Sequence, residues 1–226
     1  MKARARVWLF DLDNTLHDAS HAVFGHINRE MTAYIARELA LDEAEADALR
    51  RRYWLRYGAT LLGLVRHHGV KAGHFLHHTH LLPGLEERVR GHRHDFAALA
   101  RLRGRKFVVT NAPADYTRRV LNALGITRLF DGVVPVEAMA MFGHWRPKPD
   151  ARMLRRLAAR LRVPPARCVL VEDTLGHLKS ARRVGMGTVW MQRFGRRAAL
   201  PQRWHKTPAF VDRRIGALRH LVQHGA

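Results

Sequence analysis

A chain of 226 residues with 47% hydrophobic content is long enough to bury a core and carry an active site, either as one large domain or as a core with a sizeable insertion. A formal charge of +21 attracts phosphates of every kind, on a metabolite or on a nucleic acid, so charge alone selects no partner. No apolar run approaches the roughly 18 residues of a membrane span, and the lone Cys168, inside the apolar run CVLV, excludes an internal disulfide.

The opening MKARARVWLF carries no secretory pattern, so a cytoplasmic location is expected. The basic residues are scattered, with no compact arm or recognised nucleic-acid module; nucleic-acid binding is expected only as nonspecific charge attraction.

In chain order, VWLF at 7–10 reads as a buried strand. Val23, Ile27, Met31, Tyr34, Ile35 and Leu39 then follow helical spacing, with Ser20 as the expected N-cap. Asp42 with Glu45 forms a capping-box pattern that opens a second helical run through Leu49, Tyr53, Leu61, Leu62 and Val65, stopped at Gly69. Pro83 and Gly84 mark the return. Further strands are expected at KFVVT (106–110), GVVPV (132–136), CVLVE (168–172) and TVWM (188–191), with Pro135 confining GVVPV to an edge or shortening it. The tail offers AFVD and then a helix through Leu218 and Leu221.

Strands alternating with helical patterns indicate an α/β fold, a doubly wound, Rossmann-like parallel sheet. The stretch of about 90 residues between the first two strands is too long for one crossover helix. The expected organisation is therefore a core of residues 1–16 and 91–226, with a helical cap of residues 17–90 inserted after the first strand.

The first strand runs into Asp11, Leu12, Asp13, Asn14 and Thr15. Alternation along an extended chain puts Asp11 and Asp13 on one face, at the sheet edge where open α/β sheets bind ligands. Two carboxylates this close need either a cation between them or a proton on one of them. Thr110 and Asn111 end the second clear strand, Lys148 lies in RPKPD just before a helix, and the strand at 168–172 runs into Glu172 and Asp173. One hydroxyl, one cation and two more acids are thus expected to meet the first two acids.

The ordered segments DLDNT, VVTNA, RPKPD and VLVEDTLGHLKSARRVGM resemble the four motifs of the haloacid dehalogenase superfamily, and the resemblance spans the whole chain. The helical insertion looks like the cap of subfamily I. FDLDNTL, YWLRYGATLLGL and VVTNA together are similar to the pyrimidine 5'-nucleotidase branch.

The resemblance implies a magnesium-dependent phosphatase. Asp11 would be the nucleophile that forms an aspartyl phosphate, and Asp13 the acid and then base. Mg2+ would be held by Asp11, the Asp13 carbonyl and Asp173, with Glu172 orienting a metal-bound water. Lys148 would pair with Asp11 and the phosphoryl group; Thr110, Thr15 and the main-chain amides of Leu12, Asn14 and Asn111 would hold its oxygens.

The implied partner is a small phosphorylated metabolite, preferably a pyrimidine nucleoside monophosphate. Alternatives are a sugar-phosphate phosphatase, a phosphomutase, or a basic nucleic-acid-binding protein on a vestigial phosphatase fold. Haloacid dehalogenases lack an acid at the position of Asp13, which argues for phosphoryl transfer. His17 stands where nucleotidase-like relatives carry tyrosine, near the expected cap hinge, and is a candidate substrate contact; His177 stands where they often carry asparagine. His77, His78 and His80 match no zinc spacing and read as surface imidazoles.

Overall fold

The computed structural model describes residues 6–194 and 206–222. The chain separates into two compact units, one of Met1–Ser20 with Val89–Ala226 and the other of His21–Arg88.

The first unit is a three-layer α/β structure. Its strands are β1 (Val7–Phe10), β2 (Arg105–Val109), β3 (Gly132–Val134), a small antiparallel pair β4 (Ala140–Met141) and β5 (His144–Trp145), then β6 (Cys168–Glu172), β7 (Gly187–Met191) and β8 (Arg213–Ile215). Six of these form one parallel sheet in the order β3-β2-β1-β6-β7-β8. The strands at its centre are apolar up to their carboxyl ends because helices cover both faces: Val7, Trp8, Leu9 and Phe10 are all buried, as are Cys168, Leu170 and Val171. Each fully buried leucine of this kind, such as Leu9 or Leu170, contributes about 2 kcal/mol.

The strand order reverses between β1 and β6. From β1 the chain steps outward to β2 and β3, then returns across β1 to lay β6 on its other side. A crevice at the carboxyl ends of two strands that diverge in this way is where open sheets bind ligands. Gly104 makes the tight entry to β2: its φ of 106° lies in a region that favours glycine, and a Cβ there would strike the Arg6 carbonyl.

The expected strands at 7–10, 106–110, 168–172 and 188–191 lie within one residue of those observed. GVVPV is an edge strand shortened to Gly132–Val134, with Pro135 just beyond it. The tail differs from expectation. The last strand is Arg213–Ile215 rather than AFVD, and Leu218–Leu221 is a single 3-10 turn rather than a helix. An edge strand with only Ile215 buried leaves little apolar pattern to read.

Helices of the first unit are α1 (Ala19–Ala22, which runs into the second unit), α7 (Arg93–Arg101), α8 (Ala114–Ala123), α9 (Ala151–Arg160) and α10 (Leu175–Arg183). The second unit holds α2 (Phe24–Leu39), α3 (Glu43–Tyr57), α4 (Thr60–His68), α5 (Ala72–Thr79) and α6 (Leu85–Arg88). The capping box at α3 is formed: Glu45 N–H donates to Asp42 and the Glu45 carboxylate accepts from Asp42 N–H.

Two details of the helical unit depart from the sequence expectation. Ser20 lies within α1, and the N-cap of α2 is Val23, without a side-chain bond. The second helical run is broken at Gly58, whose φ of 78° ends α3 and lets α4 turn back to pack against it.

Candidate active site

β1 delivers Asp11 to the reversal point. Phe10 pairs with Val171 of β6, and the Asp11 N–H continues that ladder to the Val171 carbonyl at 2.9 Å, so Asp11 comes alongside Glu172. The chain then turns sharply: Leu16 N–H reaches the Leu12 carbonyl at 2.8 Å, and Asn14 adopts a φ of 55°, a conformation that asparagine tolerates better than most residues. The Asn14 amide closes the turn, donating to Ser20 Oγ at 2.8 Å and accepting from Ser20 N–H at 3.0 Å. That pairing occupies the serine expected to cap the next helix.

Lys148 reaches this edge from the loop before α9 and is 1% exposed. Its Nζ donates to Asp11 Oδ1 and to Glu172 Oε2, both at 2.7 Å. His177 Nδ1, from the first turn of α10, lies 3.0 Å from the same Glu172 oxygen. The other oxygen, Oε1, accepts from Thr174 N–H at 3.2 Å. The main chain of Lys148 is fixed by Asn111, whose Nδ2 donates to the Lys148 carbonyl at 2.8 Å while its Oδ1 accepts from Lys148 N–H at 2.9 Å. Thr110, buried at the end of β2, accepts at Oγ1 from Ala112 N–H at 3.0 Å, which shapes the loop carrying Asn111.

Asp13 meets two partners on one oxygen. Tyr116, from the first turn of α8, donates its hydroxyl to Asp13 Oδ1 at 2.7 Å, and His17 Nε2 lies 2.9 Å from that oxygen. His17 is fully buried, so it lies against Asp13 within the first unit rather than at an open surface. Thr15 is buried too, and its Oγ1 has no hydrogen-bond partner among the described residues.

The electrostatics follow from packing several acids around one lysine. Burial, reinforced by Glu172, pushes the Asp11 carboxyl well above the usual carboxylate range against the pull of Lys148. Burial and the neighbouring Glu172 push Asp173 up in the same way. Burial also acts to raise Glu172, but Lys148 and His177 outweigh it and hold Glu172 well below its ordinary value. For Lys148 burial disfavours the charge, and Asp11 and Glu172 more than restore it, so its pKa is raised. Lys148 thus offsets the charge of Glu172, and the anionic forms of Asp11 and Asp173 are left disfavoured.

Carboxylate oxygens of Asp11, Glu172 and Asp173 lie within 4.8 Å of one another. An all-oxygen, acid-rich set with two carboxyls destabilised as anions is the donor chemistry that a hard divalent cation such as Mg2+ satisfies.

The residues expected from sequence therefore come from four separate stretches to one sheet edge: Asp11 to Thr15, Thr110 with Asn111, Lys148, and Glu172 with Asp173. Asn111 enters through its side chain, a role that the main-chain expectation did not include. Tyr116 was not anticipated. Its signal in the sequence is faint, a tyrosine in the first turn of the helix that follows VVTNA, and only the fold brings it to an acid 103 residues away.

The family model of haloacid dehalogenase-like hydrolases matches residues 5–185. Among curated proteins, "Phosphate metabolism protein 8" of Saccharomyces cerevisiae is 25% identical over 202 residues, 81% of this chain. The chain spans about 60% of the length of that relative. Among solved structures, a HAD phosphatase from Thermococcus onnurineus is 20% identical, with a TM-score of 0.62 and 96% of each chain covered. The HAD-hydrolase YfnB of Bacillus subtilis is 17% identical, with a TM-score of 0.60 over 97% of this chain and 98% of its own. Dehalogenases share the fold as well. With the sheet order, the acids at its reversal point and a family match over most of the sequence, the chain belongs to the haloacid dehalogenase-like hydrolases.

Proposed function

We propose that this hydrolase is a magnesium-dependent phosphatase that cleaves small phosphate monoesters, preferably pyrimidine nucleoside 5'-monophosphates, through an aspartyl phosphate on Asp11. The observation that carries the reading is the second carboxyl, Asp13, two residues beyond Asp11 and held by Tyr116 and His17. Displacing an alkoxide from phosphorus needs an acid there, whereas displacing a halide does not.

In this mechanism an Asp11 oxygen attacks phosphorus as the bond to the ester oxygen breaks, and Asp13 gives its proton to the departing alkoxide. Asp13 then removes a proton from water, which attacks phosphorus and releases inorganic phosphate, restoring Asp11. Lys148 offsets the charge on Asp11 and on the transferring group. Thr110, Thr15 and the main-chain N–H groups of Leu12, Asn14 and Asn111 hold the phosphoryl oxygens. Asp11, the Asp13 carbonyl and Asp173 would hold a magnesium ion, which would supply positive charge to the transferring group, while Glu172 keeps Lys148 in place and would orient water at that site.

The preference for a pyrimidine nucleotide rests on the likeness of FDLDNTL, YWLRYGATLLGL and VVTNA to that branch, and the kinship with a yeast protein named for phosphate metabolism agrees with phosphate chemistry. The helical unit His21–Arg88 supports reading residues 17–90 as a cap that selects the base.

The test is phosphate release across nucleoside monophosphates and sugar phosphates, with and without Mg2+. Turnover should be highest on UMP, CMP or dTMP, should fall to background with EDTA, and should be absent in Asp11→Asn. Turnover that survives in Asp11→Asn would overturn the proposal, and a sugar phosphate as best substrate would overturn the nucleotidase part alone.

A further inference from the structure

We infer that Tyr116 and His17 are positioning residues for Asp13, fixing which of its two oxygens exchanges the proton; this rests on the reaction proposed above. The two donors reach Asp13 from different directions in the chain, Tyr116 from α8 and His17 from the turn that closes the first loop. Both act on Oδ1, at 2.7 and 2.9 Å. A carboxyl on a turn otherwise samples several side-chain rotamers, and each unproductive one subtracts from the fraction ready to react. With Oδ1 engaged twice, the orientation is set and Oδ2 is the oxygen left to carry the proton to the departing alkoxide.

The surroundings are built for this contact. Tyr116 is 1% exposed and His17 fully buried, so neither donor is free to turn to solvent. The two donors also lie together, with Tyr116 Oη 3.5 Å from His17 Nε2. Placing the ring proton of His17 on Nε2 makes it a donor to Oδ1. The buried Nδ1, which has no partner, is then left with an unmatched lone pair rather than an unmatched N–H, the less costly of the two. The main chain repeats the arrangement, since Asp13 and His17 form an isolated β-bridge. A buried tyrosine hydroxyl needs some acceptor, and a main-chain carbonyl would serve that need. Here it is spent on a carboxyl that belongs to the proposed chemistry.

The test compares two leaving groups. p-Nitrophenolate departs without a proton, whereas the alkoxide of glycerol 2-phosphate needs one. Tyr116→Phe removes only the hydroxyl, and it should lower kcat/KM, which reports the steps through departure of the leaving group, ~10-fold on glycerol 2-phosphate and less than ~2-fold on p-nitrophenyl phosphate, while kcat on both substrates also contains the shared hydrolysis in which Asp13 acts on water. Equal losses on the two substrates, or no loss on either, would refute the positioning role and leave Tyr116 as a core residue. Should that variant melt below the assay temperature, His17→Leu compared with His17→Gln reads the same point. The glutamine restores a donor, so the alkyl-specific loss should be smaller in His17→Gln; identical losses in the two would refute the inference. Asp11→Asn is assayed alongside on p-nitrophenyl phosphate. Activity persisting there contradicts the underlying reaction, whereas a dead Asp11→Asn with an unselective Tyr116→Phe contradicts only the positioning of Asp13.

Discussion

The Asn111 side chain grips the main chain of Lys148 on both sides, accepting from its N–H at 2.9 Å and donating to its carbonyl at 2.8 Å. The two residues are 37 positions apart, and this clamp joins the loop after β2 to the loop before α9. Lysine has four flexible side-chain bonds, so aiming Nζ at Asp11 and Glu172 requires a fixed starting point in the backbone. Asn111→Ala should therefore lower kcat about 100-fold with KM little changed, in line with the cost of small misplacements in a reacting site. The two lost hydrogen bonds should lower stability by about 2 kcal/mol, measured by denaturant unfolding.

Lys148→Met leaves Glu172 and Asp11 buried without their shared cation. Breaking one partner out of a buried ionic cluster costs about 3–5 kcal/mol, so the variant should unfold at markedly lower denaturant concentration and show no turnover. Adding Glu172→Gln removes the stranded charge and should recover most of the lost stability with none of the activity. A double variant no more stable than Lys148→Met would show that the Lys148–Glu172 contact carries little of the cost.

Gly63 in α4 is packed against the Tyr53 ring of α3, and a methyl group built on it would fall inside that ring. Tyr53 is itself anchored, with its hydroxyl 2.7 Å from His68 Nε2. Gly63→Ala should destabilise the helical unit by about 1–3 kcal/mol through overpacking, despite the better helix propensity of alanine. Thermal melts of wild type and variant decide it; an unchanged or raised midpoint would show that Tyr53 can move aside.

Asp47 ties α3 to α2. Its carboxylate accepts from Arg51 Nε and Arg50 Nη2, each at 2.6 Å, and Arg50 continues to Thr32 and Asn28. The hydrogen bonds from Arg51 and then Arg50 hold its pKa down to about 2, below the ordinary 3.8. A carboxyl with a lowered folded-state pKa adds stability above its ordinary value and loses it as the pH falls toward the folded value. The midpoint difference between wild type and Asp47→Asn should therefore be full at pH 6 and shrink between about pH 4 and pH 2. A difference that stayed constant over that range would separate the role of Asp47 from its charge.

Much of the core was legible because buried parallel strands are continuous apolar runs: Cys168–Glu172 follows from CVLVE directly, and the acids at strand ends could be placed on one edge from spacing alone. Two kinds of feature were not legible. Breaks set by a single backbone conformation, as at Gly58, are hidden inside an unbroken helical pattern, and the Asn14–Ser20 bond moved a serine out of its expected capping role. Contacts that depend on the tertiary path, such as Tyr116 with Asp13 or Asn111 with Lys148, leave no periodicity to read. The weak edge strand Arg213–Ile215 failed for a third reason, since one buried side chain makes no alternation.

The central claim is that phosphorus becomes bonded to Asp11. Borohydride added during turnover of a good substrate reduces an acyl phosphate to an alcohol, and peptide mass mapping then finds the modified residue. The account predicts homoserine at position 11 in the wild type and none in Asp11→Asn. Full turnover with position 11 unmodified and the reduced residue at another acid, such as Asp13 or Asp173, would contradict it.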